Sequence, residues 1–419
     1  MTGFFFAFLF FIGPAQAPES PVYDVTAYGA VANDGLSDTA AVQAALSAAT
    51  SAGGGTVYLP AGTYEVDSLN IGSNTEMIGD RAGATVLKRE PGTDQPLLVA
   101  GAVSNITVRA IAFNANKAQT SGTPQCLRFI DTEDFLVADC VLHDSTGHTL
   151  YCNGTTNGTI RNCEFYDGTA ASVYMVACDN IQVAGCFSRT SGEHGYQFKN
   201  CGNVKFSAAH ATENNGSGFF IDSCDDVVLE GCLAQSNTNS GFRVYSTALL
   251  NQNITFNGCV ARLNDTGFSI TDARHFDLAG CMANENGTGM ALVDNLQLCS
   301  DFSLTGCHMV GNQKEGITLL GATAGKIEGC LINNNSQSQT NAYDGIHMAD
   351  GGGQTCSSIR IAGCSLIDSQ PVPTQRRGIT TTGGSDEMTI LYNDVAGNSS
   401  TPAIQLEGTN NTATLNITL

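Results

Sequence analysis

Lysine, arginine, histidine, tyrosine and one carboxylate recur in this chain at a common phase. Lys199 closes the run Gly195-Tyr-Gln-Phe-Lys, Asp222 closes Gly218-Phe-Phe-Ile-Asp, and Tyr245 closes Gly241-Phe-Arg-Val-Tyr. Setting these runs one above another generates columns. One column holds Arg128, Tyr151, Tyr174, Gln197, Phe220 and Arg243, and its neighbour holds Asn153, Val176, Lys199, Asp222 and Tyr245. A third, where the strands begin, holds Gln125, His148 and His194. Imidazole, ammonium and phenol groups act as base or acid when their surroundings tune them, and a planar guanidinium grips carboxylates. On one face, such columns would hold a sugar chain and move protons on it. The plainer alternative is a Lys199–Asp222 ion pair worth about 0–1 kcal/mol if exposed, beside tyrosines that only stack on sugars.

Columns of this kind require strands stacked in register. A Gly precedes an alternating apolar strand at Gly195, Gly218, Gly241, Gly267, Gly289, Gly316 and Gly345, at spacings of 22 to 29 residues. A second strand ends in Cys at Cys140, Cys163, Cys186, Cys232, Cys259, Cys281, Cys307, Cys330 and Cys364. Two period-2 strands at fixed phase within each repeat predict an all-β fold, a single right-handed parallel β-helix. No linker divides the 419 residues, and a solenoid grows by adding coils, so residues 18–419 read as one domain. The Ala-rich stretch 38–52 places Val42, Leu46 and Ala49 on one helical face, predicting a short helix that caps the open N-terminal end.

Phe4 to Ile12 is a continuous apolar run, and Ala15-Gln16-Ala17 follows as a small-x-small cleavage pattern. Together they predict a signal peptide over residues 1–17 and a secreted protein. The run is too short to span a bilayer as a helix, and no other stretch is long and apolar enough to try, so no membrane partner is expected. A net charge of −21 argues against nucleic acid and anionic lipid. It admits an anionic polysaccharide where a groove is locally basic. It also admits calcium, although no calcium-loop motif is present. A monomer and a homo-oligomer fit the composition equally. The sixteen cysteines read as a ladder of small apolar core residues, with Cys178/Cys186, Cys224/Cys232, Cys299/Cys307 and Cys356/Cys364, each eight apart, as candidate disulfides.

The N-terminal segment carries a family resemblance. Tyr23-Asp-Val-Thr-Ala-Tyr-Gly-Ala, Asn33-Asp-Gly, Ser37-Asp-Thr and Gly53-Gly-Gly-Thr-Val-Tyr-Leu-Pro-Ala-Gly-Thr-Tyr resemble the opening of pectate-lyase-like β-helix enzymes, especially the catalytic modules of secreted mannuronan C5-epimerases. That family carries Tyr-Gly-Phe-Asp-Pro-His on one coil and a second Asp on the next. The matching positions here are His194, Gln197, Lys199 and Asp222, and only Asp222 keeps its type. Lys88 and Lys117 resemble basic groove positions of the same family. The resemblance implies an enzyme that abstracts the C5 proton of an alginate-like uronate polymer, finishing by β-elimination as a lyase or by reprotonation on the opposite face as an epimerase. In this reading Lys199 or His194 is the base and Tyr174 the proton donor. Arg243 and Arg128 bind carboxylates, and Asp222 orients Lys199. His148, Tyr151, Gln197, Tyr245, Lys88 and Lys117 line the substrate.

Two other classes stay open. A glycoside hydrolase needs two carboxylates flanking the bond, and Asp222 has no acidic partner in its columns. A carbohydrate-binding β-helix or adhesin needs no catalytic set at all. His210, His275, His308 and His347 have no convergent partner legible in the sequence.

Overall fold

Three short strands per coil alternate buried and outward side chains, and each strand pairs with its counterpart one coil on. The computed structural model describes residues 20–295 and 299–418, so the expected export segment lies outside the described residues. All strand pairings between coils are parallel, and they gather into sheets of 16, 14 and 11 strands. The 14-stranded sheet carries the Gly-phase strands and is called the groove sheet below. The expected cap is a helix, Thr39–Ser51, burying Val42, Ala45, Leu46 and Ala49 against the first coil. Asp38 precedes it and accepts a hydrogen bond from the Val31 backbone N–H at 2.8 Å.

Like stacks on like in the interior. Tyr196, Phe219, Phe242 and Phe268 form one aromatic pile with centroids 4.9–5.0 Å apart. A second pile is polar. Asn214 Nδ2 donates to Asn237 Oδ1 at 2.9 Å, Asn237 to Asn264 at 3.1 Å, and Asn264 to Asn286 at 3.1 Å. The series continues through Asn312 and Asn335 to Gln375. Each amide oxygen also accepts a backbone N–H from one coil earlier, Asn214 from Ser191 at 3.1 Å and Asn237 from Asn214 at 3.2 Å. This ladder explains the recurrent Gly. A Cβ on Gly241 would meet Gly267 O at 2.8 Å, Ala261 Cβ at 2.9 Å and Asn264 Nδ2 at 3.0 Å.

All sixteen cysteines are buried free thiols. The pairs eight apart are not bonded, for a geometric reason. Cys178 and Cys186 flank the six-residue strand Asp179–Ala184, as the other three pairs flank theirs. A six-residue strand is about 20 Å long, whereas a disulfide needs Cα atoms within about 7 Å. The thiols instead stack along the solenoid, Cys140 on Cys163 on Cys186. Burial pushes the Cys126 and Cys299 thiols up to about 12.

Asn237→Ala breaks the amide ladder in its middle and leaves buried partners unpaired, which costs about 1–3 kcal/mol. Thermal and urea unfolding should show that loss, with Gly241→Ala destabilised in the same range by the clash. Unfolding midpoints equal to wild type in both would show that the ladder does not pin the coils.

Candidate functional site

The backbone register sets the expected columns side by side. Arg128 pairs with Tyr151, Tyr151 with Tyr174, Tyr174 with Gln197, Gln197 with Phe220, and Phe220 with Arg243. In the adjoining column Lys199 pairs with Asp222 and Asp222 with Tyr245. These side chains share the outer face of the groove sheet and divide into two neighbouring centres.

The first centre is aromatic. The His148 ring lies 4.6 Å from Tyr174 and 6.0 Å from Tyr151, centroid to centroid, and the two tyrosines are 5.8 Å apart. His148 and Tyr174 line a pocket of about 430 Å³ with Gln125, Glu193 and Gln197. Burial pushes His148 down to about 4, so it is a neutral imidazole at neutral pH. Burial also pushes the Tyr174 phenol above its ordinary value, with the neighbouring Tyr151 adding to the effect, so Tyr174 keeps its proton. A neutral imidazole with a protonated phenol beside it is an acid–base pair.

The second centre is charged. Lys199 Nζ lies 3.4 Å from Asp222 Oδ2, and the Asp222 side chain is only 3% exposed. Burial comes from an enlarged coil. The Gly241-to-Gly267 repeat is longer than the two before it, and the extra chain folds Thr247 over the carboxylate. Thr247 donates its backbone N–H at 3.0 Å and its hydroxyl at 2.8 Å, and Ser223 Oγ donates at 2.8 Å. Asp222 therefore fixes the loop and holds Lys199 beside it. Arg243 lies 5.1 Å above the Phe220 ring and 5.0 Å from the Tyr245 ring, an orientation held by cation–π attraction.

His194 lies beside the second centre. Its ring packs 4.6 Å from Phe220, and Nδ1 accepts the Ser217 backbone N–H at 2.9 Å. Burial, then the nearby Arg243 charge, pushes His194 down to about 4. A neutral ring whose Nδ1 is an acceptor carries its proton on Nε2. His194 thus presents a donor to the groove.

Lys88 and Lys117 are not brought to this face. Lys88 lies on the 11-stranded sheet, paired with Glu65 at 2.8 Å. Lys117 sits in a corner connection and donates to Asp167 O at 2.6 Å. Among the described residues, no group of three or more His, Cys, Asp or Glu side chains converges as a metal site would require. Sequence reasoning missed Glu193, Ser217, Ser223 and Thr247, whose roles depend on which backbone group or loop faces them.

Two family descriptions match the chain. Right handed beta helix region covers residues 99–283, 210–340 and 295–418, and Rhamnogalacturonase A/epimerase, pectate lyase-like, covers 22–105. Among curated proteins, mannuronan C5-epimerase AlgE2 of Azotobacter vinelandii is 40% identical over 114 residues, 24% of this chain and 11% of that relative. Alginate lyase 7 of the same organism is 43% identical over 83 residues, 18% of this chain and 10% of that protein. The match thus spans about a tenth of these relatives' length. Among solved structures, the A-module of Azotobacter vinelandii epimerase AlgE6 superposes with TM-score 0.59 at 18% identity, covering 95% of this chain and 99% of that one. Bacteriophage phi29 gene product 12 superposes with TM-score 0.73 at 16% identity, over 87% and 55%. At such identities these structures establish the fold alone.

Folding lowers the proton affinity of His148 and His194, chiefly through burial. The unfolded chain binds protons near pH 6.5 and the folded chain only near 4, so their contribution to stability is present above about 6.5 and lost as pH falls toward 4. Imidazole nitrogen NMR should find both rings neutral throughout pH 5.5–8, with His194 in the Nε2–H form. Midpoints near 6.5 for both would refute the buried, neutral state.

Proposed function

The chain belongs to the right-handed β-helix family, and from that premise we propose that it is a lyase of alginate-like uronate polymers. The observation that carries the reading is the neutral His148 packed against the protonated Tyr174 in one groove pocket. His148 takes the C5 proton of a uronate, and the electron pair left behind spreads into the adjoining carboxylate. As the C4=C5 double bond forms, the C4–O4 bond breaks and Tyr174 gives its proton to the departing O4. The His148 proton then passes through water to the phenolate, which restores both groups.

Enediolate charge needs donors nearby. Arg128 stands one strand from Tyr151 in the same column, and Lys199, Arg243 and the Nε2–H of His194 continue the donor series along the sheet. This local row of cations offsets a chain charge of −21 where an anionic polymer would lie. Base and acid come from the same face, which suits elimination; epimerisation requires a donor on the opposite face of the sugar. The likeness to a curated epimerase and an alginate lyase, over 24% and 18% of the chain, supports a uronan as substrate. The signal-like residues 1–17 support action outside the cell.

Purified protein incubated with alginate, polymannuronate, polyguluronate and pectate should release unsaturated uronate, read by its ultraviolet absorbance, on at least one polymer. His148→Ala and Tyr174→Phe should each lower kcat by about 10²-fold or more. No absorbance on any polymer would end the lyase reading. Altered anomeric proton signals without cleavage would replace it with an epimerase.

A further inference from the structure

Past Arg243 the outward column runs through Ser269, Ala291 and Thr318 to His347. The three intervening side chains are small and carry little chemistry. At His347 the chemistry returns. Arg376 grips Asp344 with two bonds, Nε to Oδ1 at 2.8 Å and Nη2 to Oδ2 at 2.5 Å, and the Asp344 side chain is 1% exposed. His347 Nδ1 lies 3.4 Å from the same Oδ2. Burial alone would push the Asp344 carboxyl up, but the bonds from Arg376 and then His347 outweigh it and hold it below the usual carboxylate range.

A carboxylate facing Nδ1 selects the tautomer with the proton there, leaving a lone pair on Nε2. Arg376 spends Nε and Nη2 on Asp344 and keeps Nη1, on a side chain 31% exposed. The phase is also informative. In Asp344-Gly-Ile-His347, Asp344 occupies the strand-entrance position of His194 and His347 the outward position of Gln197. The cluster is thus built at the same two positions of the coil as the first site, on the same sheet.

We propose that His347 and Arg376, held by Asp344, form a second uronate-binding station on the groove sheet, engaged by the same polymer chain that occupies the first site. The station rests on the reading of this face as a uronan track. Arg376 Nη1 takes a sugar carboxylate, and His347 Nε2 accepts a sugar hydroxyl; a polyuronate repeats both groups along its length. Four strand steps separate Arg243 from His347, about 19 Å at about 4.8 Å per step. Only a chain long enough to cross Ser269, Ala291 and Thr318 engages both ends.

Calorimetric titration in a Tyr174→Phe background, where elimination is too slow to shorten the polymer during the measurement, with an alginate trimer and with long alginate gives the ratio of the two affinities. His347→Ala should lower the polymer-to-trimer ratio about tenfold, the effect of losing one hydrogen bond in a charged site. Removing Arg376 alone would strand a buried carboxylate and endanger folding. The double variant Asp344→Asn with Arg376→Gln removes both charges together and should lower the ratio likewise, its fold checked by the unfolding midpoint. An unchanged ratio in both variants, with the Tyr174→Phe parent binding long alginate, overturns the station and leaves the track standing. A parent that binds no uronan at all overturns both.

Discussion

A buried primary amide must both donate and accept, and in a stack of coils each Asn satisfies its neighbour only at one register. The ladder from Asn214 to Gln375 therefore does more than fill hydrogen bonds. It fixes how each coil sits on the next, and the close-set Gly column beside it leaves no room for a slip. The aromatic pile and the thiol stacks tolerate small displacements; the amides do not. Once register is fixed, every outward residue is set beside its counterparts one coil away, and a site can be assembled from single residues on successive coils.

Two histidines show how this frame assigns chemistry. His194 receives a backbone N–H on Nδ1 and so offers a proton to the groove. His347 faces a carboxylate on Nδ1 and so offers a lone pair. The side chains are identical, and the group behind each ring decides its role. His148 differs again: burial beside two tyrosines keeps it neutral.

The Gly phase and the period-2 alternation made the coils and the columns from Arg128 to Arg243 legible in the sequence, and the helical spacing of Val42, Leu46 and Ala49 did the same for the cap, since all three follow from local periodicity. The roles within the columns were less legible. Asp222 is sealed by Thr247, which arrives on an enlarged coil whose path no periodicity encodes. The Ser217 backbone N–H that sets the His194 tautomer belongs to no side-chain pattern. Arg376 reaches Asp344 across a 32-residue separation, so His347 looked solitary. Lys88 resembled a groove cation, yet its strand belongs to another sheet. The candidate disulfides failed because a spacing of eight spans a whole strand here.

Strand stacking also gives the molecule a built-in ruler. Distances along the groove sheet come in whole multiples of one interstrand step, a length set by the peptide hydrogen bond and independent of the side chains displayed. Duplicating or deleting one coil would move the two ends of the face apart or together by one such increment, while every contact inside each end stayed intact. Reach along a polymer is thus a discrete, heritable variable, adjustable by unequal recombination without redesign of either chemistry.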